Sequence, residues 1–180
     1  MQALKRFLPA LPASFPLPIA IAQHMGGDRE SFLAGYLDRI APPAVKEADD
    51  KESLRAGHVY LAPGGYHLLI EQDRTFSLSV DPRVNHCRPS IDVLFESAAD
   101  AFEGSLIGVV LTGANGDGSH GLKTIKARGG LTIVQNPVSA ESSRMPQAAL
   151  DLVSIDHIVE LEELAPLLMQ LSVLSDGEDK

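Results

Sequence analysis

The sequence predicts an α/β fold, with a doubly wound, mostly parallel sheet, helices on both faces and one antiparallel β-hairpin. Two patterns carry that expectation. Continuous apolar runs such as Leu106–Leu111 suit parallel strands covered on both sides. Between such runs, apolar residues recur at helical spacing, and strand–helix alternation leads to a parallel sheet wrapped by its crossover helices. The hairpin has its own signal. Phe76, Leu78 and Val80 alternate with Thr75, Ser77 and Ser79, and Tyr66–Glu71 precedes them across Gln72-Asp73-Arg74.

The other elements follow in order. Leu4, Phe7, Leu8 and Leu11 mark a first helix that Pro9 and Pro12 limit early. Leu17–Gln23 reads as a short buried strand. Phe32, Leu33, Tyr36, Leu37 and Ile40 form a second helical stripe, stopped by Pro42-Pro43. Val59–Ala62 is a strand ending in the turn Pro63-Gly64-Gly65. Ile91, Leu94, Phe95, Ala98 and Phe102 make a helix with Ser90 as its N-cap. After the strand Leu106–Leu111 comes a glycine-rich loop, then a helix over Leu122–Arg128 closed by Gly129-Gly130. Leu131–Val134 and Ile155–Val159 are further strands, and Leu161–Leu174 is a last helix. Ser175–Lys180 reads as a frayed polar tail.

Composition narrows the function. With 180 residues, 44% apolar and 22% charged, the chain reads as an ordinary globular protein of about one domain. Its 15 Lys and Arg against 24 Asp and Glu leave a net charge of −9, which argues against a general nucleic-acid binder. A single cysteine, Cys87, excludes a disulfide framework and a Cys-rich zinc site. No apolar run reaches about 18 residues, so membrane insertion is not expected. Met1–Leu11 lacks the apolar stretch of a signal peptide. A reducing cytoplasm fits best.

In an open parallel sheet, ligands bind beyond the carboxyl ends of the strands. Two such ends carry polar groups: Gln23-His24-Met25-Gly26-Gly27 and Thr112-Gly113-Ala114-Asn115-Gly116-Asp117-Gly118. His24 is a candidate general base, since imidazole exchanges a proton near neutral pH; a histidine that merely fills a strand end is the plainer reading. Asp117 is a candidate to orient that ring and stabilise its cation, although aspartate also favours tight turns. The same loop matches G-x-G-x-x-G at Gly116–Gly121, a dinucleotide pattern. Against that stand Asp117 itself and Gln135-Asn136 where an acidic ribose ligand belongs. A Walker loop fails because Leu122 follows Gly121, and a calcium loop fails at His120 and Lys126. His58, His67, His86 and His157 have no partner at a metal-ligand spacing, and nothing local marks Cys87 as a nucleophile.

Taken together, these motifs resemble the catalytic domain of the bacterial chemotaxis protein-glutamate methylesterases. The matching stretches are Gln23-His24-Met25, Val59–His67, Arg88–Ala99, Leu111–Gly118, Gln135–Ala140 and Met145–Ala149. The resemblance implies a serine hydrolase domain over residues 1–174, with 175–180 as a tail. Such a domain removes methyl esters from glutamates on the cytoplasmic helices of chemoreceptors, releasing methanol, and in some members deamidates receptor glutamine. It implies His24 as the base and Asp117 as the triad acid, with neither a metal nor an organic cofactor. Methylated chemoreceptor helices are the implied partner.

Three departures accompany the resemblance. The family's nucleophile is a serine in a Gly-Ala-Ser-x-Gly-Gly turn directly before the helix matching Ala3–Leu8. The expectation is therefore a domain truncated at its N-terminus relative to the family, without that serine and its strand. Ser14, Ser31 and Ser53 stand in no such turn. Ala114 replaces the methionine usual after Leu-Thr-Gly, and no phosphorylatable receiver domain is present. The rival reading is a non-catalytic receptor-binding or regulatory module, and a weaker one is a nucleotide-binding domain.

Overall fold

The computed structural model describes residues 1–24 and 30–175. In order, the elements are α1 (Gln2–Phe7) with a 3-10 turn (Leu8–Ala10), β1 (Ile19–Ile21), α2 (Glu30–Ile40), β2 (Ala44–Glu47), β3 (His58–Leu61), β4 (His67–Ile70) and β5 (Phe76–Ser79). Then come α3 (Ile91–Phe102), β6 (Ile107–Val110), α4 (Ser119–Ala127), β7 (Leu131–Gln135), α5 (Arg144–Leu152), β8 (His157–Val159) and α6 (Leu161–Ser175). The polar tail beyond Ser175 lies outside the described residues.

The strands pair in parallel, in the orders β1-β3-β2 and β6-β7-β8, while β4 and β5 form the antiparallel hairpin. The hydrogen bonding thus makes two three-stranded parallel sheets rather than one continuous sheet. β1 and β6 each form an edge, and Ile19, Ile21, Ile107 and Val109 pack half-buried against the same core.

Alternation along the strands sorts that core into layers. Val59 and Leu61 of β3 and Ile133 of β7 join α1, α2 and α6 on one side. Tyr60 and Ala62 meet α3 and the hairpin on the other, and Val134 meets α3, α4 and α5. Helices therefore cover both faces, as the sequence predicts. Two elements were not predicted: the edge strand β2 and the helix α5. Phe32, placed in the apolar stripe of α2, is 79% exposed.

The junction of α3 and α4 sets up everything at the carboxyl edge of β6. Ser90 is the residue before α3 but makes no side-chain cap. Its hydroxyl donates instead to Asp117 Oδ1 at 2.7 Å. Asp117 takes over the cap from across the fold, accepting the Ile91 amide at 2.7 Å and the Asp92 amide at 3.3 Å. Asp92 reciprocates, accepting the amides of Gly118 at 2.9 Å and Gly121 at 2.7 Å at the start of α4. Each helix thus has its orphan N-terminal donors satisfied by a carboxylate at the start of the other. Gly118 has φ 96°, a left-handed conformation that glycine adopts freely.

Two outcomes follow from this junction. A Cβ on Gly121 would lie 2.5 Å from Phe95 Cβ and 3.1 Å from Asp92 Cα, with backbone behind them. Gly121→Ala should therefore destabilise by about 1–3 kcal/mol in urea unfolding, despite the better helix propensity of alanine. A stabilised variant would contradict the close approach of α3 and α4. Burial pushes the Asp117 carboxyl up, but bonds from His24, Asn85, the Ile91 amide and Ser90 outweigh it and hold the group at about 2, below the usual 3.8. A carboxyl depressed on folding contributes stability that is complete above the unfolded value and lost as pH falls through the folded one. The stability gap between the parent and Asp117→Asn should thus shrink as urea midpoints are followed from about pH 6 to about pH 2.5. A gap independent of pH would show that the charge of Asp117 contributes nothing to folding.

Candidate active site

His24 stands just past the carboxyl end of β1, and Asp117 follows β6 in the loop leading into α4. These residues, 93 positions apart in the chain, meet with Nε2 of His24 2.7 Å from Oδ2 of Asp117. The carboxylate, ionised at neutral pH, only accepts, so Nε2 carries the hydrogen and donates it. Nδ1 is left with the lone pair, 3.5 Å from the Asn115 side-chain nitrogen. The His24 side chain keeps 22% of its surface exposed, whereas Asp117 has none. A substrate can therefore reach the ring but not the acid behind it. Met25, Gly26 and Gly27, which continue the histidine motif, lie outside the described residues.

The loop is built to present Asp117 in this way. Asn115 Oδ1 accepts the Asp117 amide at 3.1 Å, a local Asx-type turn that fixes the backbone. Counting His24, five donors converge on the two Asp117 oxygens: Asn85 and Ser90 side chains, the Ile91 and Asp92 amides, and the imidazole. The chemistry this permits is that of a general base, with Nε2 held by a buried carboxylate and Nδ1 left as the basic nitrogen beside the Asn115 amide.

Cys87, unmarked by its sequence surroundings, is brought to the same place. Its Sγ, one His24 nitrogen and one Asp117 oxygen lie within 4.8 Å of one another, and the Asn115 side-chain nitrogen is 3.2 Å from the sulfur. Burial, then the charge of Asp117, pushes the thiol up from its ordinary value. A thiol held protonated is a poor nucleophile. The trio also makes a weak metal site, because the carboxylate oxygens already accept a full set of donors.

The dinucleotide reading fails on the same contacts. A pyrophosphate needs free amides in the glycine loop, but those of Gly118 and Gly121 are taken by Asp92. His67 is structural: it is 1% exposed, and its Nδ1 accepts the Ser90 amide at 3.2 Å while Nε2 donates to the Pro82 carbonyl. His58 lies against Tyr60 with ring centroids 5.9 Å apart, away from the site. Sequence reasoning assigned no role to Asn85 or Asp92. The one available signal was Asn85-His86 between Val84 and Cys87, a turn-forming pair.

The chain is similar to known proteins over nearly its whole length. The family model described as CheB methylesterase matches residues 1–168. A Leptospira interrogans protein, provisionally named a protein-glutamate methylesterase/protein-glutamine glutaminase, is 48% identical over 95% of this chain and 89% of its own length. An Archaeoglobus fulgidus protein of the same name is 38% identical over 91% of this chain, which spans 48% of that longer protein. The crystal structure of the Thermotoga maritima CheB methylesterase catalytic domain superposes with a TM-score of 0.91 at 32% identity, covering 94% of this chain and 92% of that one. By its sequence match over residues 1–168 and by these relatives, the chain belongs to the CheB methylesterase family.

Proposed function

We propose that the chain acts as a protein-glutamate methylesterase on the cytoplasmic helices of chemoreceptors, yielding glutamate and methanol, and deamidates receptor glutamine by the same steps. The relatives named above carry that activity in their names. The observation that carries the reading to this chain is the His24–Asp117 pair at 2.7 Å, on a ring that keeps part of its surface exposed. Residues 1–174 form the catalytic unit in this proposal. The setting is cytoplasmic, and no helix among the described residues is long and apolar enough to cross a membrane.

The mechanism assigns each group one task. Nδ1 of His24 takes the proton of a serine hydroxyl as its oxygen attacks the ester carbonyl, and Asp117 stabilises the resulting imidazolium. The imidazolium returns that proton to the departing methoxide, giving methanol and a glutamyl ester on the serine. Water, deprotonated by the same nitrogen, then releases glutamate. The serine in this proposal belongs to a Gly-Ala-Ser-x-Gly-Gly turn leading into α1. Support comes from the position of α1: Gln2 and Ala3 line a cavity together with Thr112 and Gln135, at the carboxyl ends of β6 and β7.

The test is methanol release from methylated receptor by a chain carrying that turn ahead of Met1. It should turn over, and His24→Ala should lower its rate by about 10²–10⁴-fold, the usual contribution of general base catalysis. Without the serine turn the 180-residue chain should be nearly inactive. Equal, high rates with and without the turn, unchanged when its serine is replaced, would mean that the nucleophile lies elsewhere.

A further inference from the structure

Beneath the catalytic pair lies a tight turn. The Val84 and Cys87 backbones exchange hydrogen bonds at 3.1 and 2.8 Å, closing a two-residue loop with Asn85 and His86 at its corners. Both corners have positive φ, 50° and 64°. This is the hairpin geometry in which asparagine is favoured at the first corner. The turn aims the Asn85 side chain inward, where Nδ2 donates to Asp92 Oδ2 at 2.8 Å and to Asp117 Oδ1 at 2.9 Å. An amide nitrogen has two hydrogens, so one serves each carboxylate.

We propose that Asn85 is a positioning residue for the catalytic pair: by bridging Asp92 and Asp117 it holds Asp117 in the orientation that keeps His24 in its Nε2–H tautomer. The need for such a bridge is electrostatic. Asp92 is 4% exposed and Asp117 fully buried, and two buried carboxylates in one site repel. The strain is visible at Asp92, whose carboxyl is pushed up by burial first, with the charge of Asp117 adding to it. A neutral donor relieves that repulsion without adding charge. A lysine there would neutralise Asp117 and compete with His24 for it. The bridge also reaches the loop itself, because Asp92 holds the amides of Gly118 and Gly121 directly after Asp117. Without Asn85, Oδ1 would keep only the Ser90 hydroxyl and the longer Asp92 amide contact. The Ile91 amide still holds Oδ2, but with Oδ1 loosened the carboxylate can tilt away from Nε2, and the ring can exchange tautomers.

The catalytic meaning of this assignment rests on the proposed esterase reading, but the tautomer is a property of the chain by itself. The experiment is long-range ¹H–¹⁵N NMR of His24 in the 180-residue protein, at a pH where the ring is neutral. The parent should show the Nε2–H form alone. Asn85→Gly tolerates the positive φ and removes the bridge. Asn85→Asp keeps the side-chain shape and turn preference but replaces two donors with a third acceptor. Both should show mixed tautomers, the aspartate variant more so, and either one suffices if the other fails to fold. A single Nε2–H form in the folded variants overturns the proposal, including the case where they merely lose stability. In the chain carrying the serine turn, Asn85→Gly should lower kcat by about 10²-fold with KM unchanged, and an unchanged kcat also overturns it. If the parent releases no methanol at all, the esterase reading falls while the NMR result still decides the role of Asn85.

Discussion

A carboxylate with no surface in contact with water must find its solvation within the protein, and Asp117 is such a group. Stripping the water from an ionised acid costs several kcal/mol unless donors replace it. Here the replacement comes from three separate places in the chain: the His24 imidazole past the β1 end, the turn at Asn85 and the start of α3. The positive end of the α3 dipole points at the same charge. Few arrangements of the surrounding segments satisfy all of these donors at once. The stability of the junction and the geometry of the site are therefore two consequences of one requirement.

That requirement also explains the shape of the glycine loop. The backbone must turn sharply after Asp117 so that α4 begins beside α3, and Gly118 does this at φ 96°. A side chain at Gly118 would meet Ile91 at 2.8 Å, and one at Gly121 would meet Phe95. The glycines that look like a phosphate cradle in sequence serve a different purpose here. They let two helix starts approach closely enough to exchange carboxylate caps.

The sequence placed His24 and Asp117 correctly at strand ends because β1 and β6 are short apolar runs followed by polar residues, a signal that depends on nothing distant. It could not reveal Asn85 or Asp92. Asn85 acts through an inward-facing turn whose partners stand 7 and 32 residues away. Asp92 reads as an ordinary acidic residue in the first turn of a helix, where the dipole welcomes it anyway. Ser90 was read as a local N-cap, but a stronger acceptor from another segment displaced it. β2 was missed because only Val45 of its four residues is buried, too little for a period to show. α5 is short and carries Pro146 in its first turn, where proline is tolerated because no intrahelical donor is lost. The division of the parallel strands into two sheets is a matter of pairing, on which strand periodicity is silent.

The two carboxylates of the junction end with opposite tendencies, and that divergence separates their roles. Asp92 is pushed up, by burial above all, and spends its oxygens on backbone amides and Asn85. Asp117 is held down at about 2 despite its burial, because more and better donors reach it. Of the two, Asp117 is the one that touches the imidazole, so the acid held ionised at neutral pH is the one beside His24. Burial first, and then the charge of Asp117, disfavours a thiolate at Cys87 a few ångströms away. In the proposed mechanism, the charge that would prepare the histidine to act as a base adds to the burial that keeps the neighbouring sulfur protonated, so the nucleophile's part falls to a hydroxyl.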